Sequence, residues 1–265
     1  MKPETVSLLR SPGTHEPLRL VSAQASGGIA QEELVCERSG GSFPIRDGIP
    51  LLLDESSLSG PNQRYQRFYN RAAWLYDAVI HLAAKLAGGG EERFRGEYLR
   101  ELDVQDGDRV LEVSIGTGGN IPFLPARTSC FGLDISWGML QKCQRNLKRW
   151  QLEAELILGN AEDLPLCDES FDAVFHVGGI NAFNDRAKAI AEMIRVARAG
   201  ATIVIVDETA KLMERLAWIP GTGRLLREYG DRFSAPAALV PDAMRDLRVR
   251  EIVKGNLYSL AFRKP

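Results

Sequence analysis

Several things are scarce in this chain of 265 residues. It has four cysteines, Cys36, Cys130, Cys143 and Cys167, and no two of them form a CxxC pair. That spacing indicates neither a disulfide framework nor a zinc ribbon. Charge of one sign is missing too: 33 Lys and Arg stand against 35 Asp and Glu, a formal net charge of -2, and the pI is about 6.0. No general electrostatic pull toward nucleic acid or an anionic membrane follows from such a balance. Long apolar runs are absent. The longest, 72–87, is broken by Tyr76, Asp77, His81 and Lys85 and is too short and too polar to span a bilayer. The opening MKPETVSLLR has no apolar core of the length a signal peptide needs. These absences point to a cytoplasmic protein with no membrane span and no nucleic-acid partner.

What is present is an ordinary globular balance, 45% apolar and 26% charged. The length suffices for one α/β domain and a small accessory unit. We place that unit at 1–60, where LVCERSGGSFPIRDGIPLLL reads as short strands turning at Gly40-Gly41 and Asp47-Gly48. Its few apolar residues predict that it packs on the domain at 61–265 rather than standing alone. Residues 61–100 read as helical, with Gly88-Gly89-Gly90 between two helices, the second at 91–102.

From Arg109 onward the pattern is short apolar strand, polar helix, short apolar strand, the signature of a doubly wound parallel sheet. It predicts strands at 109–113, 129–133, 154–158, 172–177 and 201–206, and helices near 119–124, 137–150 and 184–198. Ser136 suits the N-cap of the second helix, and Gly200 the end of the third. A variable insert at about 208–241 precedes two strands, 249–253 and 257–262, close enough to form an antiparallel hairpin.

The chemistry gathers at the carboxyl ends of the parallel strands, where ligands bind in such sheets. RVLEVSIGTGGNI carries a strand into a turn in which Gly116 and Gly118 let backbone approach a ligand without a Cβ in the way. Glu112 lies inside that strand, and a carboxylate there calls for a hydrogen-bond partner or a cationic ligand. Asp134 follows the second strand, where an acidic side chain accepts from ribose hydroxyls. Asn160, Ala161 and Glu162 follow the third strand, placed to receive an adenine, and His176 to Gly179 end the fourth. The third glycine of a pyrophosphate site is out of place, since Gly119 is adjacent to Gly118 and Ile121-Pro122 interrupts the helix. A nucleoside without phosphates fits better than a nicotinamide dinucleotide.

With VLEVSIGTGGN, GLDISWGML, GNAEDLPLCDESFDAVF and AIAEMIRVARAGATIVIVDE in order, the stretch 65–207 resembles the class I S-adenosylmethionine methyltransferases. Within them it is most similar to the type 11 group that includes ubiquinone and menaquinone biosynthesis methyltransferases. The resemblance implies a Rossmann-like fold, a mostly parallel seven-stranded sheet ending in an antiparallel hairpin, with S-adenosyl-L-methionine as cofactor. It assigns Glu112, Gly116 and Gly118 to the methionine portion, Asp134, Ile135 and Ser136 to the ribose, and Asn160, Ala161 and Glu162 to the adenine. Tyr69 and Tyr76, in a helix that covers the cofactor in the family, either close over the amino-acid end or are core aromatics, and His176 lies near the methyl group. His176, together with Asp207 and Glu208 at the end of the fifth strand, supplies the candidate catalytic bases, and His176 could instead be a packing histidine or only touch the cofactor. Ser114 departs from the family's usual glycine, and its Cβ favours ordinary φ and ψ.

Residues 18–53 resemble a small zinc-ribbon-like accessory domain whose ligands are lost, with Ser22, Ala25 and Ser39 at metal positions and Cys36 alone, so no metal is expected. The apolar insert, with Met213, Trp218 and Tyr229, suits a lid over a small apolar or aromatic acceptor, or equally a homodimer surface or plain core. Two other functions stay open: methylation of a ribosomal RNA base, and an inert cofactor-binding or partner protein.

Overall fold

The structure is a computed structural model that describes residues 2–24, 30–54, 58–67, 70, 90–215, 217 and 230–265. A short helix, α1 (Pro3–Leu8), opens the chain with proline at its start, where a missing N–H costs no hydrogen bond. Four antiparallel strands follow in order, β1 (Leu18–Gln24), β2 (Ala30–Cys36), β3 (Ser42–Arg46) and β4 (Ile49–Pro50). Asp47 and Gly48 turn β3 into β4 with φ of 51° and 79°, as a two-residue hairpin requires.

This unit shares the core of the larger sheet. Leu9, Leu18, Leu34, Cys36 and Leu52 are buried in one cluster with Leu133, Ile157, Leu164 and Leu166. Beyond β4, the Leu52 N–H donates to the Leu158 carbonyl at 2.8 Å, and Leu51 bridges Leu158 in parallel, so the unit borders the edge of the larger sheet. Each leucine buried there contributes roughly 1.5–3 kcal/mol, which the unit could not gather by itself. The buried Cys36 thiol donates to Glu16 Oε2 at 3.0 Å.

A helix at 60–67 (α2) and α3 (Gly90–Leu99) lead to the larger sheet. Its strands are β5 (Arg109–Val113), β6 (Ser129–Asp134), β7 (Glu155–Leu158), β8 (Phe171–Val177), β9 (Ala197–Glu208), β10 (Arg245–Ile252) and β11 (Leu257–Arg263). They lie in the order β10-β11-β9-β8-β5-β6-β7. The five strands from β5 to β9 are parallel, and β11 runs antiparallel between β9 and β10. Strand order reverses about β5, which is flanked by β6 and β8, and there the carboxyl ends open a crevice.

The remaining helices are α4 (Trp137–Trp150), α5 (Arg186–Val196) and α6 (Ala210–Arg215). Ser136 caps α4, its Oγ accepting from Met139 N–H at 3.2 Å, and Asp185 caps α5 through Lys188 N–H at 2.9 Å. No helix among the described residues is long and apolar enough to cross a membrane.

Three expectations need correction. The helix expected at 119–124 is only a single 3-10 turn, Ile121–Phe123, because Pro122 offers no N–H and the chain leaves in an extended conformation at Leu124. Gly200 does not end α5. The helix stops at Val196, and Gly200 sits inside β9 with φ of 81°. The hairpin strands run longer, from Arg245 to Arg263, around Val253, Lys254 and Gly255, which all have positive φ.

Candidate functional site

Two crevices meet at the carboxyl ends of the strands. The first is lined by Ser114 and Gly116 after β5, Asp134 and Ile135 after β6, Asn160 and Ala161 after β7, and Val177 to Gly179 after β8. Asn62 and Tyr65 of α2 complete its wall, with Met139 and Phe183. The second crevice runs from Glu112 and Asn120 past Phe94, Phe123 and Trp150 to Asp207, Glu208 and Leu257. Ser114, Gly116, Val177 and Gly178 line both, so the two open into each other there.

The loop after β5 shapes this junction. Gly116 and Gly118 have φ of 57° and 78°. A Cβ on Gly118 would lie 2.7 Å from Cys143 Sγ, whereas one on Gly116 would meet nothing within 4 Å, so Gly116 leaves its backbone open to a ligand. Ser114 also has positive φ, 60°. The expectation that its Cβ would impose ordinary φ and ψ therefore fails: the tertiary structure holds it left-handed at roughly 1–2 kcal/mol of strain.

Asp134 is buried at the end of β6. Its Oδ2 accepts from Gly116 N–H and its Oδ1 from Ser136 N–H, each at 2.8 Å, so it ties the glycine loop to the start of α4. Burial pushes this carboxyl up to about 6, while those N–H donors pull it back. Each oxygen keeps a lone pair for a ligand hydroxyl.

Glu112 is buried in β5 and lines the second crevice. Its Oε1 accepts from Asn120 Nδ2 at 2.5 Å, and its Oε2 has no partner. Burial, opposed by Asn120 and by the charge of Arg95, pushes the carboxyl up to about 8. An unpartnered buried carboxylate oxygen is costly unless a donor arrives, and a ligand ammonium supplies one.

The other expected residues divide. Ile135, Asn160 and Ala161 line the first crevice. Ser136 has no exposed surface and serves instead as the cap of α4, its hydroxyl donating to Asn70 Oδ1 at 2.7 Å. Glu162 is not on the crevice wall. Its Oε1 accepts from Asn62 Nδ2 at 2.8 Å and from Asp185 N–H at 3.1 Å, which fastens α2 over the crevice. His176 has no exposed surface and lines neither crevice. Its Nδ1 donates to the Val113 carbonyl at 3.0 Å, its ring packs edge-on against Phe183, and burial lowers its pKa.

Asp207 lies on the second crevice, but its oxygens hold the turn after β8, accepting from Gly179, Asn181 and Glu208 N–H groups. Glu208 shares that wall, and its carboxyl is raised well above the usual range by burial and by Asp207 beside it. Tyr69 and Tyr76 lie outside the described residues, as do 216 and 218–229 of the insert. Asn62 and Tyr65 escaped the sequence reading. The signal for Tyr65 was available, since it stands one helical turn before Tyr69.

The comparisons with known proteins agree with this geometry. Residues 111–205 match the model of a methyltransferase domain. A demethylmenaquinone methyltransferase of Renibacterium salmoninarum is 36% identical over 156 residues, 58% of this chain and 63% of the relative. The chain thus spans less than two thirds of that relative's length. The ubiquinone/menaquinone biosynthesis C-methyltransferase UbiE of a Geobacter species is 28% identical over 218 residues, 78% of this chain and 91% of the relative. Among solved structures, phosphoethanolamine N-methyltransferase 2 of Haemonchus contortus, in complex with S-adenosyl-L-methionine, superposes with a TM-score of 0.54 at 14% identity. That superposition covers 82% of this chain and 62% of the other, and at such identity the likeness is one of fold. From β5 to β9, sheet order, glycine loop and sequence match agree, and residues 111–205 resemble the catalytic domain of class I S-adenosylmethionine-dependent methyltransferases.

Proposed function

We propose that this protein transfers the methyl group of S-adenosylmethionine to a small, largely apolar or aromatic acceptor. The observation that carries the reading is the unpartnered Oε2 of buried Glu112 beside a glycine loop open at Gly116. That pairing fits a ligand with a cationic amino-acid end and no phosphates. Asp134 would hold the ribose hydroxyls, and Asn160 and Ala161 would border the adenine. When bound, the cofactor supplies an already activated methyl group, so the protein's work is to align donor and acceptor and to exclude water.

The acceptor reading rests on the second crevice. Phe94, Phe123, Trp150 and Leu257 give it apolar walls, and it reaches the first crevice where a methyl group would pass. The demethylmenaquinone methyltransferase among the relatives favours an aromatic acceptor of the quinol type. Where the acceptor loses a proton, Asp207 and Glu208 are carboxyls on that wall, which Glu91 and Glu112 also line, whereas His176 has no exposed surface. The small N-terminal unit at 1–60 buttresses the sheet edge at β7, the strand that leads to Asn160 and Ala161.

Incubating the protein with radiolabelled S-adenosylmethionine and a panel of quinols, phenols, amines and total RNA tests the proposal. Labelled quinol or phenol is the expected product. Labelling of RNA alone would overturn the acceptor class.

A further inference from the structure

Helix α3, which lends Phe94 to the second crevice, also reaches the cofactor site through a buried chain of hydrogen bonds. Arg95, 8% exposed, donates from Nη1 to Asn120 Oδ1 at 2.6 Å, and Tyr98, fully buried, donates its hydroxyl to the same oxygen at 2.7 Å. With its carbonyl taken by two donors, Asn120 can only turn its amide toward Glu112, where Nδ2 donates to Oε1 at 2.5 Å. The reverse orientation would set an amide against a guanidinium and a carbonyl against a carboxylate. Glu91, one turn earlier on α3, takes the other side of Arg95 at 3.1 Å.

Gly119 makes room for this arrangement. Its φ is not positive, so backbone conformation does not call for glycine there. A Cβ, however, would lie 2.6 Å from Arg95 Nη2. The guanidinium also lies over the Phe123 ring, 5.8 Å from its centroid. The loop is thus built around the arginine.

We propose that Arg95 and Tyr98, acting through Asn120, are positioning residues that hold Glu112 for the cationic amino-acid end of the cofactor. The proposal rests on the reading that Glu112 receives that ammonium. A direct Arg95–Glu112 pair would satisfy the carboxylate and close it to a ligand. A neutral amide between them fixes one oxygen and leaves the other without a partner beside the crevice, with a positive charge near enough to favour ionisation. Recognition of the amino-acid end therefore depends on α3 as well as on the strand that carries Glu112.

Titration calorimetry of the full chain with two ligands tests this. S-adenosylhomocysteine carries the amino-acid end, and 5′-methylthioadenosine has the same adenosine and thioether without it. Asn120→Leu and Arg95→Met are expected to weaken S-adenosylhomocysteine about tenfold while methylthioadenosine stays within about twofold. Tyr98→Phe removes one donor and leaves the ring packed, and should cost about threefold on the first ligand only. Equal losses on both ligands would mean that the chain of bonds only braces the fold, and an unchanged S-adenosylhomocysteine affinity would equally overturn the proposal. Should the first two variants fail to fold, Tyr98→Phe decides by the same comparison. A wild-type protein that binds neither ligand would overturn the cofactor reading itself, a different failure with a different signature.

Discussion

Glu112 offers a test that reads protons rather than product. Its carboxyl is pushed up to about 8, chiefly by burial. At pH 7 roughly one in ten such groups is ionised in the ligand-free protein. An ammonium needs the ionised form, so binding S-adenosylhomocysteine at pH 7 should expel about 0.9 proton. The deprotonation costs about 1.4 kcal/mol at that pH, a factor of ten in affinity. Asp134, at about 6, is mostly ionised above pH 6.5 and adds little there. Affinity should therefore rise about eightfold between pH 6.5 and 7.5 and flatten above pH 8. Calorimetry in phosphate and in Tris, whose ionisation enthalpies differ, counts the protons directly. Glu112→Gln has no proton to release, should lose the slope, and should bind about tenfold more weakly at pH 7.5, as a charge-assisted hydrogen bond is lost. Identical binding enthalpies for the wild type in both buffers, or undiminished proton release from the variant, would refute the reasoning.

Three further outcomes are expected. Asp134→Ala should weaken both S-adenosylhomocysteine and methylthioadenosine by about tenfold to a hundredfold, since both carry the ribose; a folded variant with unchanged affinity would remove the residue from the site. Ser114→Gly should raise stability in urea by about 0.5–1 kcal/mol, the relief of a left-handed φ less the entropy glycine brings to the unfolded chain; a loss of stability would show that the serine hydroxyl matters more than the strain. Ligand-free stability should fall as pH rises from 6.5 to 8.5. Glu112 keeps its proton in the folded state to about pH 8 and releases it near 4.5 when unfolded, so the native state binds more protons across that window. His176, lowered by burial, acts in the opposite sense only below its ordinary value near 6.5. A urea midpoint that is flat or rising over the window would contradict the assignment.

Much of the sheet was legible in the sequence. A strand buried on both faces is mostly apolar, and Val110–Val113, Phe131–Leu133 and Val174–Val177 announce themselves for that reason, with Glu112 and His176 the polar exceptions. Ser136 before α4 was equally plain, because a capping hydroxyl acts on its own backbone neighbours. Helix ends and the hairpin's length were less so. They depend on which strand pairs with which, and Gly200 reads like a helix stop until β8 draws the backbone from Ala197 into pairing.

The site divides along the same line. Glu112, Gly116 and Asp134 follow from position alone, since whatever ends a parallel strand beside the reversal of strand order faces the crevice. What each side chain does there depends on partners distant in sequence. Glu162 reads like an adenine contact until Asn62, a hundred positions away, takes its carboxylate. His176 ends the right strand, but the neighbouring Val113 carbonyl and Phe183 close around it. Arg95 on its helix reads like any surface arginine, and only tertiary contact with Asn120 and Gly119 buries it. The sequence by itself determined the sheet, its direction and the edge where a nucleoside could bind, because local periodicity and turn chemistry carry that information. Tertiary structure alone decided which polar groups spend their hydrogen bonds on the fold and which, like Glu112 Oε2, are left without a partner, because a buried group's partners come from anywhere in the chain.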